Sequence, residues 1–177
     1  MTELILRNME EIYLNDSWSV FFHDPYENDW TNVSYNKIGV IGTVNDFCKH
    51  LHNMKGNVTK GMWFMMRDDI FPCWDDPENI NGGALSIKIL KEHVDEFWQN
   101  LMEKVLGESV LIPSIRDEKW NCINGISSSP KKHFCIIKIW LKDDSLFEKD
   151  EYFDLLKTYH GNIIYKLNME SIQHDKI

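Results

Sequence analysis

The spacing of apolar and polar residues along the chain predicts a protein built from short strands and a few helices. Apolar residues that alternate with polar ones, or form short continuous runs, are typical of strands, whereas repeats of three or four residues are typical of amphipathic helices. The strand-like segments are residues 17–22, 36–43, 62–66, 84–90, 122–129, 134–141 and 162–169. The helix-like segments are residues 44–54, 91–106 and 145–160.

Capping residues support these helices. Thr43 is followed three residues later by Asp46, and Ser145 by Glu148. The second pair matches the capping box, in which the two side chains satisfy backbone N–H groups at the start of a helix, and the first pair is a variant of it. Gly107 follows the second helix, where glycine is common as a C-terminal cap.

Two strand connections are predicted to be hairpins. The segment PKKH at 130–133 separates two strand-like runs. The segment FPCWDDPENINGG at 71–83 closes on two glycines between the strands 62–66 and 84–90, so it is also typical of a hairpin connection. Residues 108–120 have no clear period and are expected to form a long loop.

The order of these elements predicts an α+β fold, with helices on one face of an antiparallel sheet. In the strand at 134–141, alternate side chains point to opposite faces. One face carries Cys135, Ile137, Ile139 and Leu141, and the other carries Phe134, Ile136, Lys138 and Trp140. The apolar face is expected to meet the helices, which leaves the face with Lys138 and Trp140 open to a ligand.

A length of 177 residues favours a single domain, 1–177, with residues 1–15 as an N-terminal extension and 171–177 as a C-terminal tail. The chain opens without the pattern of a signal peptide and has no apolar run of membrane-spanning length. Its four cysteines form no CxxC pair and are expected to be free thiols. These features predict a cytoplasmic protein that does not bind membranes.

The formal net charge of −9 argues against a non-specific binder of long nucleic acids but leaves room for a local basic site. Aromatic residues are abundant, with 7 Trp, 6 Tyr and 9 Phe. Trp30 and Trp74 stand out because both lie in polar loops, and Trp74 is followed by Asp75 and Asp76. Trp is usually buried, so an exposed indole beside a carboxylate predicts a site for a flat, partly cationic ligand. The alternative is that both rings belong to the core.

The chain resembles the eukaryotic translation initiation factor 4E family of mRNA cap-binding proteins over roughly residues 17–170. Four segments in the family order carry the resemblance. They are VNDFCKHLHNM (44–54), IFPCWDDPENINGGALSI (70–87), DEFWQNLMEKVLGES (95–109) and IKIW (137–140). The resemblance implies a curved antiparallel sheet of about eight strands, with three helices on its convex face. A slot for the 7-methylguanosine cap would lie on the concave face.

The resemblance also implies roles for individual residues. Trp30 and Trp74 match the two tryptophans that sandwich the methylated base, and Asp75 takes the place of the carboxylate, usually Glu, that reads the guanine edge. Trp140 matches a third tryptophan near the N7 methyl group. The stack is physically reasonable because N7 methylation makes the base cationic, and cations are attracted to indole faces.

For the cap triphosphate, Lys131 takes the position of a family arginine. The second family lysine falls at Ile136, and Lys138, on the same strand face as Trp140, could substitute for it. Ala84 stands where the family often has an arginine. The expected ligand is therefore capped mRNA, held through its base and triphosphate bridge.

The helical face departs from the family pattern. Family members dock the scaffold factor 4G and its competing repressors through a Trp in the pattern V-x-D-F-W, and Cys48 replaces that Trp here. Nearby apolar positions on the second helix are the polar residues Gln99, Asn100 and Glu103. We expect tight binding of the usual 4G motif to be lost, and any partner on this face to be a non-standard scaffold protein.

The leading hypothesis is a non-enzymatic cap-binding protein in translation initiation, without cofactor, metal or catalytic residues. Alternatives are a cap-binding repressor or competitor that does not engage 4G, a metal-dependent cap or nucleotide hydrolase using Asp68, Asp69, Asp75 and Asp76, and an interaction module that has lost the cap. Cys48 and His52 share a helix face, but two residues alone do not make a metal site.

Overall fold

The computed structural model describes residues 11–159 and 161–170, and these residues form one curved antiparallel sheet with helices on one face. Its seven strands are β1 (Tyr13–His23), β2 (Asn36–Thr43), β3 (Met62–Arg67), β4 (Gly83–Leu90), β5 (Ile123–Pro130), β6 (Phe134–Leu141) and β7 (Ile163–Leu167). Their order across the sheet is β2-β1-β3-β5-β6-β4-β7. The predicted α+β class is confirmed, and the expected count of about eight strands is one too high for the described residues.

Two of the three predicted helices form as expected. They are α1 (Val44–Met54) and α2 (Val94–Leu106). Thr43 caps α1, since its Oγ1 accepts a hydrogen bond from the Asp46 backbone N–H at 3.1 Å and donates one to the Asp46 carboxylate at 2.9 Å. After α2, Gly107 caps the helix through its N–H to the Glu103 carbonyl, and Glu108 is the residue with positive φ (51°).

The third predicted helix does not form. Residues 144–158 make three 3₁₀ turns instead, at Asp144–Leu146, Asp150–Tyr152 and Asp154–Thr158. The reason is a competing backbone pairing: the Ile112 N–H donates to the Tyr152 carbonyl and the Asp154 N–H to the Val110 carbonyl. This pairing keeps residue 153 extended, because a backbone group bonded across to another segment cannot also join a helix.

The loop predicted at 108–120 contains a short helix, α3 (Pro113–Lys119). Proline favours the first turn of a helix, since its missing N–H would have no partner there. A single seven-residue helix gives too few turns for an apolar period to be visible in the sequence.

The two predicted hairpins have different outcomes. β5 and β6 pair directly, and the Lys131 N–H closes their turn onto the Phe134 carbonyl at 2.7 Å. β3 and β4 are not paired: β3 lies between β1 and β5, whereas β4 lies between β6 and β7. The prediction of a hairpin at 71–83 was therefore wrong, and this segment is part of a long crossover past β5 and β6.

The main core lies between the sheet and α2. The face of β6 predicted to be buried is confirmed, because all four of its apolar residues are inaccessible to solvent. They pack in one cluster with Trp98, Leu101, Met102 and Val105 of α2. A second, smaller cluster on the opposite, concave face contains Phe21, Phe64, Met66 and Trp140.

Arg67 joins several elements at one end of the sheet. Its guanidinium group donates to the carbonyl oxygens of Trp120 and Ile123 and pairs with Asp16. It also lies 5.0 Å from the ring centroid of Trp18 and 4.8 Å from that of Trp120. The side chain therefore ties β1, β3 and the start of β5 together.

β1 begins at Tyr13, so the expected extension 1–15 includes the first residues of this strand. Residues 1–10 and the expected tail at 171–177 lie outside the described residues. Among the residues that are described, none of the helices is long and apolar enough to cross a membrane. None of the four cysteines is in a disulfide.

Candidate functional site

Two loops bring aromatic residues to the concave face. The first joins β1 to β2 and carries Trp30, and the second joins β3 to β4 and carries Trp74 and Asp75. Trp30 is 56% exposed, and Trp74 is half-buried against the small concave cluster. Neither ring belongs to the main core, which disfavours the alternative that both are core residues.

Trp30 is held by a stack that the sequence did not reveal. Its indole lies parallel to the imidazole of His23, with centroids 4.3 Å apart and an interplanar angle of 6°. His23 ends β1, is fully buried, and lies 3.0 Å through Nε2 from the Asp29 carbonyl. A carbonyl only accepts hydrogen bonds, so Nε2 carries a proton. The stack covers one face of an exposed Trp and fixes its plane.

Trp74 is positioned by a network of buried asparagines. Asn79 is inaccessible to solvent, and its Nδ2 donates to the carbonyl oxygens of Phe71 (3.0 Å) and Cys73 (2.9 Å), just before Trp74. Asn124 on β5 donates to the Asn79 side chain at 3.0 Å. Asn168, just after β7, donates to the Asn79 carbonyl at 2.7 Å. The Trp74 loop is thus anchored to both of these distant segments.

Asp75 lies exposed next to Trp74, and its negative charge affects the pKa of two neighbouring groups, the Tyr35 hydroxyl and the Cys73 thiol. Burial, and after it the charges of Cys73 and Asp75, raises the pKa of Tyr35 to about 12. Burial and then Asp75 likewise raise the pKa of the Cys73 thiol to about 12. Asp75 therefore lies near Tyr35 and Cys73, and Tyr35 packs edge-on against the His23 ring that supports Trp30.

Asp76 has a structural role instead. Its carboxylate accepts hydrogen bonds from the backbone N–H groups of Phe71 (3.1 Å) and Glu78 (2.9 Å), within the same loop. Asp76 therefore stabilises the Trp74 loop.

Lys138 lies between aromatic rings on the concave face. Its Nζ is 5.6 Å from the Trp74 ring centroid and 5.8 Å from that of Trp140. Burial lowers the pKa of Lys138, and the charges of Lys166 and Lys131 lower it further. Strand register places Lys138 and Lys166 on the same face of the sheet, and the charge of Lys131 at the β5–β6 turn also reaches Lys138, so positive charge is concentrated where an anion would bind.

Lys166 is a member of this group that sequence reasoning missed. In the sheet, Ala84 on β4 is opposite Trp140 on β6 and opposite Lys166 on β7. The lysine thus lies one strand away from the alanine that stands where the family often has an arginine. Only strand order and register show this, because β7 is some 80 positions from β4 along the chain.

Trp140 is on the concave side, as predicted, but it is not open. It is only 2% exposed, and its indole N–H donates to Ser127 Oγ at 3.0 Å. The expectation of an accessible ring was wrong because Phe21, Phe64 and Met66 pack around it. Its position is the floor of the site, below the half-buried Trp74.

Three of the four aspartates of the hydrolase hypothesis have separate partners. Asp68 accepts from Ser17 Oγ at 2.9 Å, Asp69 lies 3.6 Å from Lys37 Nζ, and Asp76 binds its own loop. Across residues 11–159 and 161–170, no group of three or more His, Cys, Asp or Glu side chains is arranged to hold a metal ion.

The helical face presents the polar side chains that the sequence predicted. Cys48 is exposed on α1, next to His52. On α2, Gln99 and Asn100 are exposed, and Gln99 donates to the exposed Glu103 carboxylate at 2.8 Å.

Comparisons with known proteins give a consistent result. A family model described as eukaryotic initiation factor 4E matches residues 13–176. A homologue of this factor from Acanthamoeba polyphaga mimivirus is 29% identical over 144 residues, covering 73% of the chain and 52% of the relative. The factor from Saccharomyces cerevisiae is 24% identical over 139 residues, covering 74% and 62%. The chain thus spans between about half and three-fifths of the length of these relatives.

Solved structures match the fold. A complex of eIF4E-3 from C. elegans with the 4E-binding protein Mextli and a cap analogue has a TM-score of 0.78 at 17% identity. That match covers 93% of this chain and 96% of the other. A schistosome eIF4E complexed with m7GpppG and 4E-BP has a TM-score of 0.76 at 22% identity, covering 96% and 94%.

Proposed function

The chain belongs to the eukaryotic initiation factor 4E family, and from this premise we propose that it binds the 7-methylguanosine cap of mRNA in the cytoplasm and acts in translation initiation. The observation that carries the proposal is the position of Lys138 beside the rings of Trp74 and Trp140, with Lys166 on the same face of the sheet. A flat cation joined to a triphosphate fits such a site, since its base suits the indoles and its phosphates suit the lysines. The cap complexes of the related structures support the same ligand.

Base binding would use the two exposed loops. The methylated guanine carries a positive charge, and stacking it between Trp30 and Trp74 combines aromatic and cation–π attraction, with each stack worth about 1–3 kcal/mol. His23 behind Trp30 and Asn79 behind Trp74 keep the two rings in place before the ligand arrives. Such preorganisation lowers the entropic cost of binding.

Asp75 would select guanine. Its carboxylate oxygens accept the two hydrogen bonds that the N1–H and N2–H₂ edge of guanine donates, and adenine does not offer this pair. Asp is one methylene shorter than the glutamate usual in the family. The exposed position of Asp75 beside Trp74 allows the base or a bridging water to close that gap.

The lysine group would bind the triphosphate. Lys138 lies deepest, and phosphate charge would offset the burial and like charges that lower its pKa. Lys131, exposed at the β5–β6 turn, and Lys166 on β7 approach the same anion from two sides. Trp140 would form the floor below the base and hold Lys138 through its ring face.

The direct test is tryptophan fluorescence on titration with 7-methyl-GTP and, separately, with GTP. We expect strong quenching by the methylated nucleotide and a loss of affinity of at least about tenfold in Trp30→Ala and in Trp74→Ala, equivalent to about 1.4 kcal/mol or more. Trp63→Phe is the matched control, because Trp63 packs on the helix side and bonds the Asn57 carbonyl at 3.2 Å. Equal responses to the two nucleotides would overturn the proposal.

A second candidate is a cap-binding competitor that holds mRNA without recruiting the 4G scaffold. The exposed Cys48 at the usual docking Trp position favours it, together with the polar surface of α2. Any partner on this face would then be a non-standard scaffold. A pull-down with a 4G-type peptide separates the two candidates, since strong binding would exclude the competitor.

The proposal treats the protein as a binder rather than an enzyme. Incubation with a cap analogue and Mg²⁺, followed by chromatography of the nucleotides, tests this point. Release of a cleaved nucleotide at a rate above the buffer control would replace the binding proposal with the hydrolase alternative.

A further inference from the structure

The concave face continues beyond the candidate cap site as a regular set of rows. Strand pairing places Trp140, Ala84 and Lys166 side by side, and then Lys138, Ser86 and Ile164. The next row contains Ile136 and Lys88, and the last contains Phe134 and Leu90. Alternate residues of a strand lie about 7 Å apart, so the rows lead outward from the lysine group in equal steps.

The two outer rows expose an aromatic ring, a cation and apolar side chains. Lys88 Nζ lies 4.3 Å from the ring centroid of Phe134. Leu90 is 51% exposed, and Ile164, at the end of the adjacent row with Lys138, is 63% exposed. An exposed apolar surface of this kind next to a ligand site suggests an interaction surface rather than part of a core.

The backbone under this surface is fixed. The Tyr159 hydroxyl donates to the Lys88 carbonyl at 2.9 Å. At the end of β4, the Lys91 N–H donates to the His133 carbonyl of the β5–β6 turn. The outer rows therefore present a preformed platform rather than a mobile edge.

Charge identifies the class of ligand. The chain contains 28 Asp and Glu residues, yet strands β4, β5, β6 and β7 contain none. The three lysines of these strands, Lys88, Lys138 and Lys166, all point to the concave face. An acidic protein that keeps these four strands free of acidic residues and places all of their lysines on the concave face is suited to a polyanion.

We propose that the outer rows bind the first transcribed nucleotides of a capped RNA. Lys88 would pair with a backbone phosphate, and Phe134 would stack on a base once the ammonium group has moved from the ring to that phosphate. Leu90 and Ile164 would border the base. Aromatic rings beside cations are the usual platform for single-stranded nucleic acid. The inference rests on the proposed cap site, because the RNA would leave the lysines that bind the triphosphate and continue along the outer rows.

The test compares the affinity of the whole chain for 7-methyl-GTP and for a capped tetranucleotide. We expect the added nucleotides to tighten binding by about fivefold or more, the equivalent of one stacked base. Lys88→Glu and Phe134→Leu should reduce this gain to about twofold or less and leave the affinity for 7-methyl-GTP unchanged. Leucine keeps the apolar volume of Phe134, so the fold is retained while the aromatic face is lost.

Lys55→Glu is the matched control, because it makes the same charge change at an exposed lysine at the end of α1, on the opposite face. It should retain the full gain. A wild-type gain that persists in Lys88→Glu and Phe134→Leu, or the absence of any gain while 7-methyl-GTP still binds, would overturn this inference alone. Failure to bind either ligand would remove the proposed function, and this inference with it.

A protein occupant would give a different result. If the exposed apolar rows joined two copies of the chain, sedimentation without RNA would show a concentration-dependent dimer that Leu90→Ser abolishes and capped RNA does not displace. That outcome would also overturn the RNA proposal.

Discussion

Asn79 shows how a single buried side chain can determine the position of a ligand-binding loop. It carries no charge and lies five positions after Trp74, yet it binds two carbonyl groups next to that residue. In Asn79→Ala, these carbonyls lose their partner, and a buried unpaired polar group costs about 1–3 kcal/mol. We expect lower thermal stability and at least about tenfold weaker binding of 7-methyl-GTP, because small displacements of a binding group are costly.

Asn81→Ala is the matched control for Asn79. Asn81 is exposed in the same loop, so its substitution should leave both the melting temperature and the affinity close to wild type. Calorimetry and a fluorescence titration would measure the two quantities. An Asn79→Ala protein with unchanged affinity would show that Trp74 is positioned by other contacts.

Lys138 illustrates a conflict between stability and binding. Its pKa in the folded protein lies below the ordinary value of 10.5, mainly through burial, so folding disfavours the charged form. The loss of folding stability caused by this buried charge is fully present when the pH is below the pKa of the folded state. It disappears as the pH rises through that value towards the pKa of the unfolded state. Lys138→Met should therefore raise the melting temperature at pH 7, by about 2–4 °C, and weaken binding of 7-methyl-GTP.

Thermal unfolding of wild type and Lys138→Met between pH 7 and pH 10.5 tests the direction of this effect. The melting temperature of the variant should exceed that of wild type by less and less as the pH rises. A difference that grows with pH would mean that the charged lysine stabilises the free protein, contrary to this account. Lys157→Met provides the comparison, since Lys157 is exposed and pairs with Asp154 at 3.1 Å.

Among the secondary-structure elements, α1 carries the main departure from the family pattern. The fold keeps the helix and its Thr43 cap, whereas the docking Trp position is the exposed Cys48. A buried aromatic anchor is commonly the hot spot of an interface, and its loss typically costs 2 kcal/mol or more. We expect Cys48→Trp to strengthen binding of a 4G-type peptide by about tenfold or more, relative to the weak binding expected of the wild-type chain.

Fluorescence anisotropy with a labelled peptide would measure this change. Lys49→Trp introduces the same ring one position away on the exposed surface of α1 and should have little effect. If both variants bind equally, the gain comes from non-specific apolar contact rather than a restored docking site. Tight binding by the wild-type chain would show that this face uses anchors other than the missing Trp.

For the molecule as a whole, Arg67 links segments that are far apart in the sequence. Its contacts reach Asp16, Trp120 and Ile123. The loss of this side chain should therefore lower the stability of the whole fold rather than that of one local element. Arg67→Met would remove the donor of two carbonyls and leave the Asp16 carboxylate with only the hydrogen bond from the Trp120 indole N–H at 3.0 Å. We expect a decrease in the free energy of unfolding of about 3 kcal/mol, measured by urea denaturation.

Arg67→Lys should lie between wild type and Arg67→Met. It keeps the positive charge near Asp16 but lacks the planar set of donors that serves several acceptors at once. Equal stability of wild type and Arg67→Met would show that packing against Trp18 and Trp120 outweighs the polar contacts.

Local patterns in the chain were enough to predict the α+β class, two of the three expected helices and the β5–β6 hairpin. The reason is that period and capping are properties of neighbouring residues. The same holds for Trp30 and Trp74, whose polar neighbours marked them as loop residues, and the structure places both on the concave face. Lys138 and Trp140 were assigned to the correct face because side-chain alternation in a strand is also local.

Other features depended on which distant segments come together. The pairing of residues 110–112 with 152–154 replaced a predicted helix by 3₁₀ turns, and the order of the strands turned a predicted hairpin into a crossover. The burial of Trp140, the stack of His23 on Trp30 and the approach of Lys166 to Lys138 also arise only from that order. A sequence records what each residue prefers among its neighbours, whereas long-range packing decides which neighbours it has, because the backbone and side-chain groups that bind one another across the fold cannot also satisfy their local preferences.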